Sequence, residues 1–216
     1  MLNIVKNKKI SFTLSSIFFL IILILVIGIG LKPGIDFEGG SLLELTFTGG
    51  RPDRAQIQEV VDGLNFGAVS VQPAAEKGTL IKLRYITQEE HQQLLLAIRD
   101  KFETNEDSKV LEERIETIGP AISTYLRSRA WKAALVVILA IILFIAYAFR
   151  RVSKPIQSWK YGLTAIIALI HDITITMGVF TLLGKYLGVE VNIPFVVALL
   201  TILGYSVNDT IVVFDR

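Results

Sequence analysis

The segment NIPFVVALLTILGYSVNDTIVVFDR, Asn192–Arg216, decides how this chain is read. From Pro194 to Phe214 it is apolar and long enough to cross a hydrocarbon core, which takes roughly 20 residues at about 1.5 Å each. Yet it carries Asn208 and Asp209 side by side, with Ile211, Val212, Val213 and Phe214 still to follow. An Asp near the centre of a span costs about 2.5–3.5 kcal/mol on insertion scales, so something must offset it.

Working back from this segment, three more stretches have the length of a span: Ile10–Leu31, Trp131–Phe149 and Tyr161–Leu183. The composition agrees, since 52% of the 216 residues are hydrophobic and the mean hydropathy is +0.55, too apolar for an ordinary soluble domain. The net charge of +2 gives no reason to expect nucleic acid as a partner. With no cysteine there is no disulfide framework, thiolate metal site or cysteine nucleophile. The first apolar run follows Lys6, Lys8 and Lys9 but is longer than a secretory signal core. No small-x-small cleavage site precedes LKPGIDF, so it reads as an uncleaved anchor.

Lysines and arginines set the orientation. Lys6, Lys8 and Lys9 flank the first span, and Arg150, Arg151, Lys154 and Lys160 fill the loop between the second and third. The positive-inside rule makes that side cytoplasmic, leaving Lys32–Ala130 and the loop Gly184–Ile193 outside. Lys32–Ala130 holds 16 Asp+Glu and 12 Lys+Arg, a net −4, which suits an exported domain. The expected organisation is an anchor over 1–31, an outer domain over 32–130 and three more spans over 131–216.

Within the outer segment Leu43, Leu45 and Phe47 alternate with Leu42, Glu44 and Thr46, the period of a half-buried strand. Ile57, Val60, Val61 and Leu64 form one face of a helix. AVSVQ and TLIKLRYI read as two strands. Thr87 and Glu90 form a capping box for a helix that buries Leu94, Leu95 and Ile98, and a last strand covers Val110–Thr117. This is the order of a ferredoxin-like α+β sandwich. The fold class is therefore a polytopic α-helical membrane protein with an extracytoplasmic α+β domain. Nothing in the outer domain reads as catalytic, and neither enzyme activity nor a cofactor or metal is expected. His91 reads as a solvated surface residue, and Glu89–Glu90 and Glu112–Glu113 as solvated faces, since no third ligand stands at metal spacing.

The chemistry is expected in the membrane. His171 and Asp172 are the groups able to charge near neutral pH in the third span, and Asp209 is the one in the fourth. On a helical rise Asp172 lies about 17 Å and Asp209 about 11 Å from the cytoplasmic end, within a turn of each other in depth. Asp172 shares a face with Ala168 and Thr176, and Asp209 with Tyr205 and Ser206, small and polar residues of the kind found between packed helices. Such a carboxylate either glues helices together or alternates between protonated and charged forms under the influence of burial and a nearby cation. The second reading is preferred. No Lys or Arg lies in the core of any span, so the counter-charge to Asp209 is expected from another helix.

Four motifs then resemble one family. DFEGG at Asp36–Gly40, ETIGP at Glu116–Pro120, HDITITMG at His171–Gly178 and GYSVNDTIVVFDR at Gly204–Arg216 resemble, in order, elements of the SecD/SecF protein-export subunits. The last two stand nearer to the SecF pattern, because SecD-type sequences place the Asp where Asn208 stands here. The resemblance implies a six-span subunit of the resistance-nodulation-division superfamily that pairs with SecD and docks on the SecYEG channel. It implies that the proton motive force is used to draw unfolded preprotein across the cytoplasmic (inner) membrane. It further implies that Asp209 carries protons, with Asn208, Asp172 and His171 beside it in the relay. The chain is then read as stopping after the fourth span, with two more to follow Arg216, the nearer carrying an arginine for Asp209. Asp36, Gly39, Gly40, Gly119, Pro120 and Gly204 are read as structural motif positions. Gly39–Gly40 would permit a tight path into the first strand, and Gly119–Pro120 a break before the second span. The rival functions are a structural assembly factor without ion coupling and a small-molecule exporter of the same superfamily.

The orientation is open to single-cysteine labelling, the protein having no native cysteine. An impermeant reagent applied from outside is expected to label a cysteine at Ser70 and to spare one at Ser158. The reverse pattern would invert the topology.

Overall fold

The computed structural model describes residues 8–105, 107–148, 150 and 158–214. Lys6, Arg151, Lys154, Asp215 and Arg216, named above, lie outside the described residues. The chain divides into two compact units, Gly34–Arg127 and the described parts of 1–33 with 128–216. The first of these units lies within the segment 32–130.

The Gly34–Arg127 unit is built on a four-stranded antiparallel sheet in the order β2-β3-β1-β4, with β1 Gly40–Phe47, β2 Ser70–Ala74, β3 Gly78–Leu83 and β4 Val110–Ile118. Helix α3 (Arg54–Asp62) joins β1 to β2 and α4 (Gln88–Phe102) joins β3 to β4, which is the ferredoxin-like connection. The alternation in β1 puts Leu43, Leu45 and Phe47 into a core with Ile81, Leu83, Ile57, Val61, Leu94 and Ile98, each no more than 3% exposed. Both helices begin with capping boxes, Asp53 with Gln56 and Thr87 with Glu90, and each box satisfies two backbone N–H groups that a helix start leaves without partners. Arg84 donates through Nη1 to Glu90 Oε2 at 3.2 Å. This bond, with the Thr87 backbone N–H, holds the Glu90 carboxyl below the usual carboxylate range.

His91 corrects the sequence reading. It is 5% exposed, because it stands three, four and seven residues before Leu94, Leu95 and Ile98, on the face that α4 turns to the core. A β-bulge brings it a partner. Glu44 pairs with Arg114 but Leu45 with Glu112, so Glu113 is passed over and Glu112 swings onto the helix side of the sheet. His91 Nε2 then lies 3.2 Å from Glu112 Oε1, close but without hydrogen-bond alignment, and both ring nitrogens are buried. Glu112 is therefore half-buried, while Glu113 stays exposed.

The other unit consists of helices. The four that are long and apolar enough to cross a membrane, among the described residues, are α1 (Lys8–Ile29), α5 (Pro120–Ala148), α6 (Ser158–Leu187) and α7 (Ile193–Phe214). Helix α5 starts eleven residues before Trp131, where the apolar run was expected to begin. Pro120 occupies its first position, where a missing N–H costs nothing, and Ser123 and Thr124 donate back to Pro120 O. Ile145 of α5, Ala165 and Leu169 of α6, and Leu203 and Val207 of α7 form the interior of this unit. Outward-facing Phe12, Leu14, Ile24, Leu143 and Val213 are exposed apolar surface suited to lipid.

Between α1 and β1 lies a short helix, α2 (Ile35–Glu38), with Asp36 in its turn. Gly39 and Gly40 follow with φ of +79° and +130°, where an L side chain is strained. A Cβ on Gly40 would come 2.6 Å from the backbone oxygen of Leu83, and one on Gly39 would come 3.3 Å from that of Ile118. Gly40→Ala is therefore expected to destabilise the protein by about 2–3 kcal/mol, measured by denaturant unfolding in detergent. An unchanged midpoint would show that the β1–β3 pairing has room to spare.

Candidate functional site

Helix α7 starts cleanly because Asn192 Oδ1 accepts from the backbone N–H of Phe195, with Pro194 in the first turn. From there the helical period turns Leu203, Ser206 and Val207 towards α6. Leu203 and Val207 bury into the apolar interior, and Ser206 Oγ, between them, donates to Asp172 Oδ2 at 2.7 Å. The other carboxylate oxygen, Oδ1, lies 3.2 Å from His171 Nδ1. The far side of the same ring meets α1, where Ser15 Oγ is 3.0 Å from Nε2 and Phe19 stacks at 5.6 Å between centroids, 19° from parallel.

With Asp172 ionised and the imidazole neutral, the contact to Asp172 places the proton on Nδ1, and Nε2 accepts from the Ser15 hydroxyl. Four side chains on three helices thus form one continuous hydrogen-bonded row, Ser15–His171–Asp172–Ser206. Neighbouring hydroxyls take no part in it. Thr174 and Thr176 donate to the carbonyls of Ile170 and Asp172 in their own helix, which satisfies them without water.

Of the residues expected in the relay, the structure joins His171 and Asp172 and leaves Asn208 and Asp209 apart. At 100° per residue Asp209 lies 60° round α7 from Ser206, and Asn208 lies 100° from Val207 on the opposite flank. Both are exposed, as are Gly204 and Tyr205. The face of α7 bearing Asp209 is thus uncovered by the described helices, and among the described residues no Lys or Arg is paired with Asp172 or Asp209. Sequence reasoning missed Ser15 and Ser206 as partners. Ser206 was placed on the Asp209 face, and Ser15 is one of four hydroxyls, with Ser11, Thr13 and Ser16, at the start of the first span.

The α1–α6 seam is held at two further levels. Gly178 faces Ile22, which is 4% exposed, and a Cβ on Gly178 would overlap the Ile22 side chain. Past the C-terminal ends of α1 and α6, Val191 N donates to Lys32 O at 2.8 Å, Pro33 bridges to Val191, and Lys32 Nζ lies 3.5 Å from Glu190 Oε1.

Four apolar helices and a small antiparallel sheet covered by two helices define a multi-pass membrane protein with an α+β domain. Comparison with known proteins places it further. The family model for the C-terminal part of the protein export membrane proteins SecD/SecF matches residues 97–216, and the SecD/SecF GG motif matches residues 24–50. The protein translocase subunit SecF of Thermobaculum terrenum is 36% identical over all of this chain, which covers 69% of that protein. SecF of Calditerrivibrio nitroreducens is 33% identical, again over the whole chain and 67% of its own length. The crystal structure of SecDF, a translocon-associated membrane protein from Thermus thermophilus, superposes with a TM-score of 0.77 at 28% identity. That match covers 99% of this chain, which spans 27% of the SecDF chain. The chain belongs to the SecD/SecF family of protein-export membrane proteins.

The glycine on the α1–α6 seam gives a direct check on this geometry. Cysteines at Ser15 and His171 are expected to cross-link in the otherwise cysteine-free protein. Adding Gly178→Val should abolish that cross-link by prising α1 from α6, and persistence of the cross-link would refute the close approach.

Proposed function

We propose that this chain is an accessory subunit of the Sec preprotein translocase that couples proton flow across the cytoplasmic membrane to late steps of protein export. It is a transport subunit rather than an enzyme, with its N-terminus in the cytoplasm. It pairs with SecD, docks on the SecYEG channel and acts on unfolded preprotein emerging on the far side. Membership of the SecD/SecF family supports this reading, as do the names of the relatives, which are translocase subunits. The observation that carries the ion coupling is an acidic pair in apolar helices. Asp172 is held between α6 and α7, and Asp209 lies three residues beyond its partner Ser206, about 4.5 Å along the axis. Carboxylates at that depth are costly and are therefore rare outside functional sites. Asp209, on the uncovered face of α7, is the group assigned to carry the proton, with its counter-charge on a further helix.

One observation favours a purely structural reading. The Ser206–Asp172 bond ties two helices together, and interhelical glue does the same. The exporter reading has less support. One recess of about 440 Å³ in the outer domain lies among Arg51, Asp53, Arg54, Ile57 and Thr79. Its rim is charged, unlike the mostly apolar cleft that binds a small molecule.

Asp209→Asn separates coupling from glue, because it keeps size and hydrogen bonding and removes titration. In inner-membrane vesicles carrying the native gene product, the variant is expected to assemble with SecD. Its export should lose the part stimulated by the proton gradient and keep the part driven by ATP. Asp172→Asn is expected to give a smaller defect. Normal gradient-stimulated export by Asp209→Asn would leave the structural reading in possession.

A further inference from the structure

The row of hydrogen bonds through Asp172 ends on two hydroxyls, one on α1 and one on α7. We propose that Ser15 and Ser206 are positioning residues of a proton relay, Ser15–His171–Asp172–Ser206, through which Asp172 takes up a proton and α7 registers its arrival. This rests on the proton-coupled reading above and assigns to it a site distinct from Asp209.

The step balances atom by atom. In the resting arrangement Asp172 is a carboxylate, His171 carries its proton on Nδ1, and Ser15 donates to Nε2. A proton delivered from water bonds to Ser15 Oγ as the hydroxyl proton of Ser15 moves to Nε2. The Nδ1–H bond breaks, and its proton forms the O–H bond on Asp172 Oδ1. Ser15 ends unchanged, His171 ends neutral with its proton on Nε2, and Asp172 ends as the neutral acid. The ring needs no rotation for this, and Phe19 stacked on it holds it in line. Ser206 is the reporter. Its 2.7 Å bond to Oδ2 is charge-assisted while Asp172 is ionised and becomes an ordinary neutral bond once it is not.

Among the described residues no charged side chain other than that of His171 is paired with Asp172, whose side chain is 44% exposed. From α1 the site meets Ser15 and Phe19, with Lys8 and Lys9 six to seven residues away, about 9–10 Å along the axis. From α7 it meets Ser206, with Asp209 one turn on. Between Lys132 and Ala148, α5 carries no charged residue, and Tyr147 is its one titratable group.

The test uses the native gene product in inner-membrane vesicles, with export driven by an imposed proton gradient as the readout. Ser15→Ala and Ser206→Ala are each expected to lower gradient-driven export about tenfold, the worth of one well-formed hydrogen bond. Each should also move the midpoint of its pH profile by about one unit. Ser15→Thr and Ser206→Thr, which keep the hydroxyl, should restore both. Combining either Ala variant with Asp172→Asn should be no worse than Asp172→Asn alone, since the residues act as a unit. If export falls but the pH profile stays put, or if Thr fails where Ala fails, the hydroxyls serve packing and the relay is wrong. If Ser15→Ala, Ser206→Ala and Asp172→Asn all export normally while Asp209→Asn does not, the relay is rejected and proton coupling stands. If Asp209→Asn is also normal, coupling itself falls.

Discussion

A charged oxygen has few ways to exist among apolar helices, and the membrane part of this protein is arranged around one of them. Asp172 would cost about 2.5–3.5 kcal/mol if left alone at depth in a span. The structure offsets this with Ser206 on one oxygen and His171 on the other. Each donor in turn needs fixing. Ser206 is fixed by Leu203, three residues before it, and Val207, one residue after it, both buried in the apolar cluster. The imidazole is fixed by Ser15 and Phe19 of α1. The packing of α1, α6 and α7 can therefore be read as the scaffold of a single carboxylate.

That scaffold depends on how closely backbones approach. Gly178 lets Ile22 of α1 lie against α6 where any side chain would intrude, and small residues at helix contacts are the usual route to close packing in lipid. Beyond the apolar region the same pair is joined by backbone, through Lys32 and Val191. Residues Gly30–Pro33 then lead the chain from α1 into the α+β domain. At Gly39 and Gly40 the backbone again takes conformations that only glycine tolerates freely.

What could be read from the sequence follows from the range of the forces involved. The strands, the Thr87–Glu90 box and the four spans are local patterns, visible in period and capping chemistry. Asp53–Gln56 is an equally local box that needed only the same test. His91 was misjudged because its polarity outweighed its position, although the spacing 91, 94, 95, 98 already put it on the buried face. The bulge that turns Glu112 towards it was not legible, since it is a choice of register between strands distant in sequence. Ser15 and His171 are 156 residues apart, and no local rule joins them. Asp209 was legible as a buried-charge problem but its environment was not, because the described helices leave its face of α7 open.

The two hydroxyls at the ends of the row respond differently to a proton on Asp172, and this gives the site a direction. A serine hydroxyl both donates and accepts. Ser15 therefore keeps its bond to His171 whether Nε2 accepts or donates, and α1 stays joined to α6 throughout. Ser206 has no such freedom to gain. Its partner Oδ2 falls from a charged to a neutral acceptor, and the bond across to α7 loses roughly half its strength. Protonation thus leaves the α1–α6 seam intact and weakens one tie between α6 and α7. The apolar cluster that includes Leu169 of α6 and Leu203 of α7 is indifferent to charge and continues to hold the two helices together. Under the proposed relay, a site that loosens one helix and holds another would serve as the two-state element needed to turn a proton into movement.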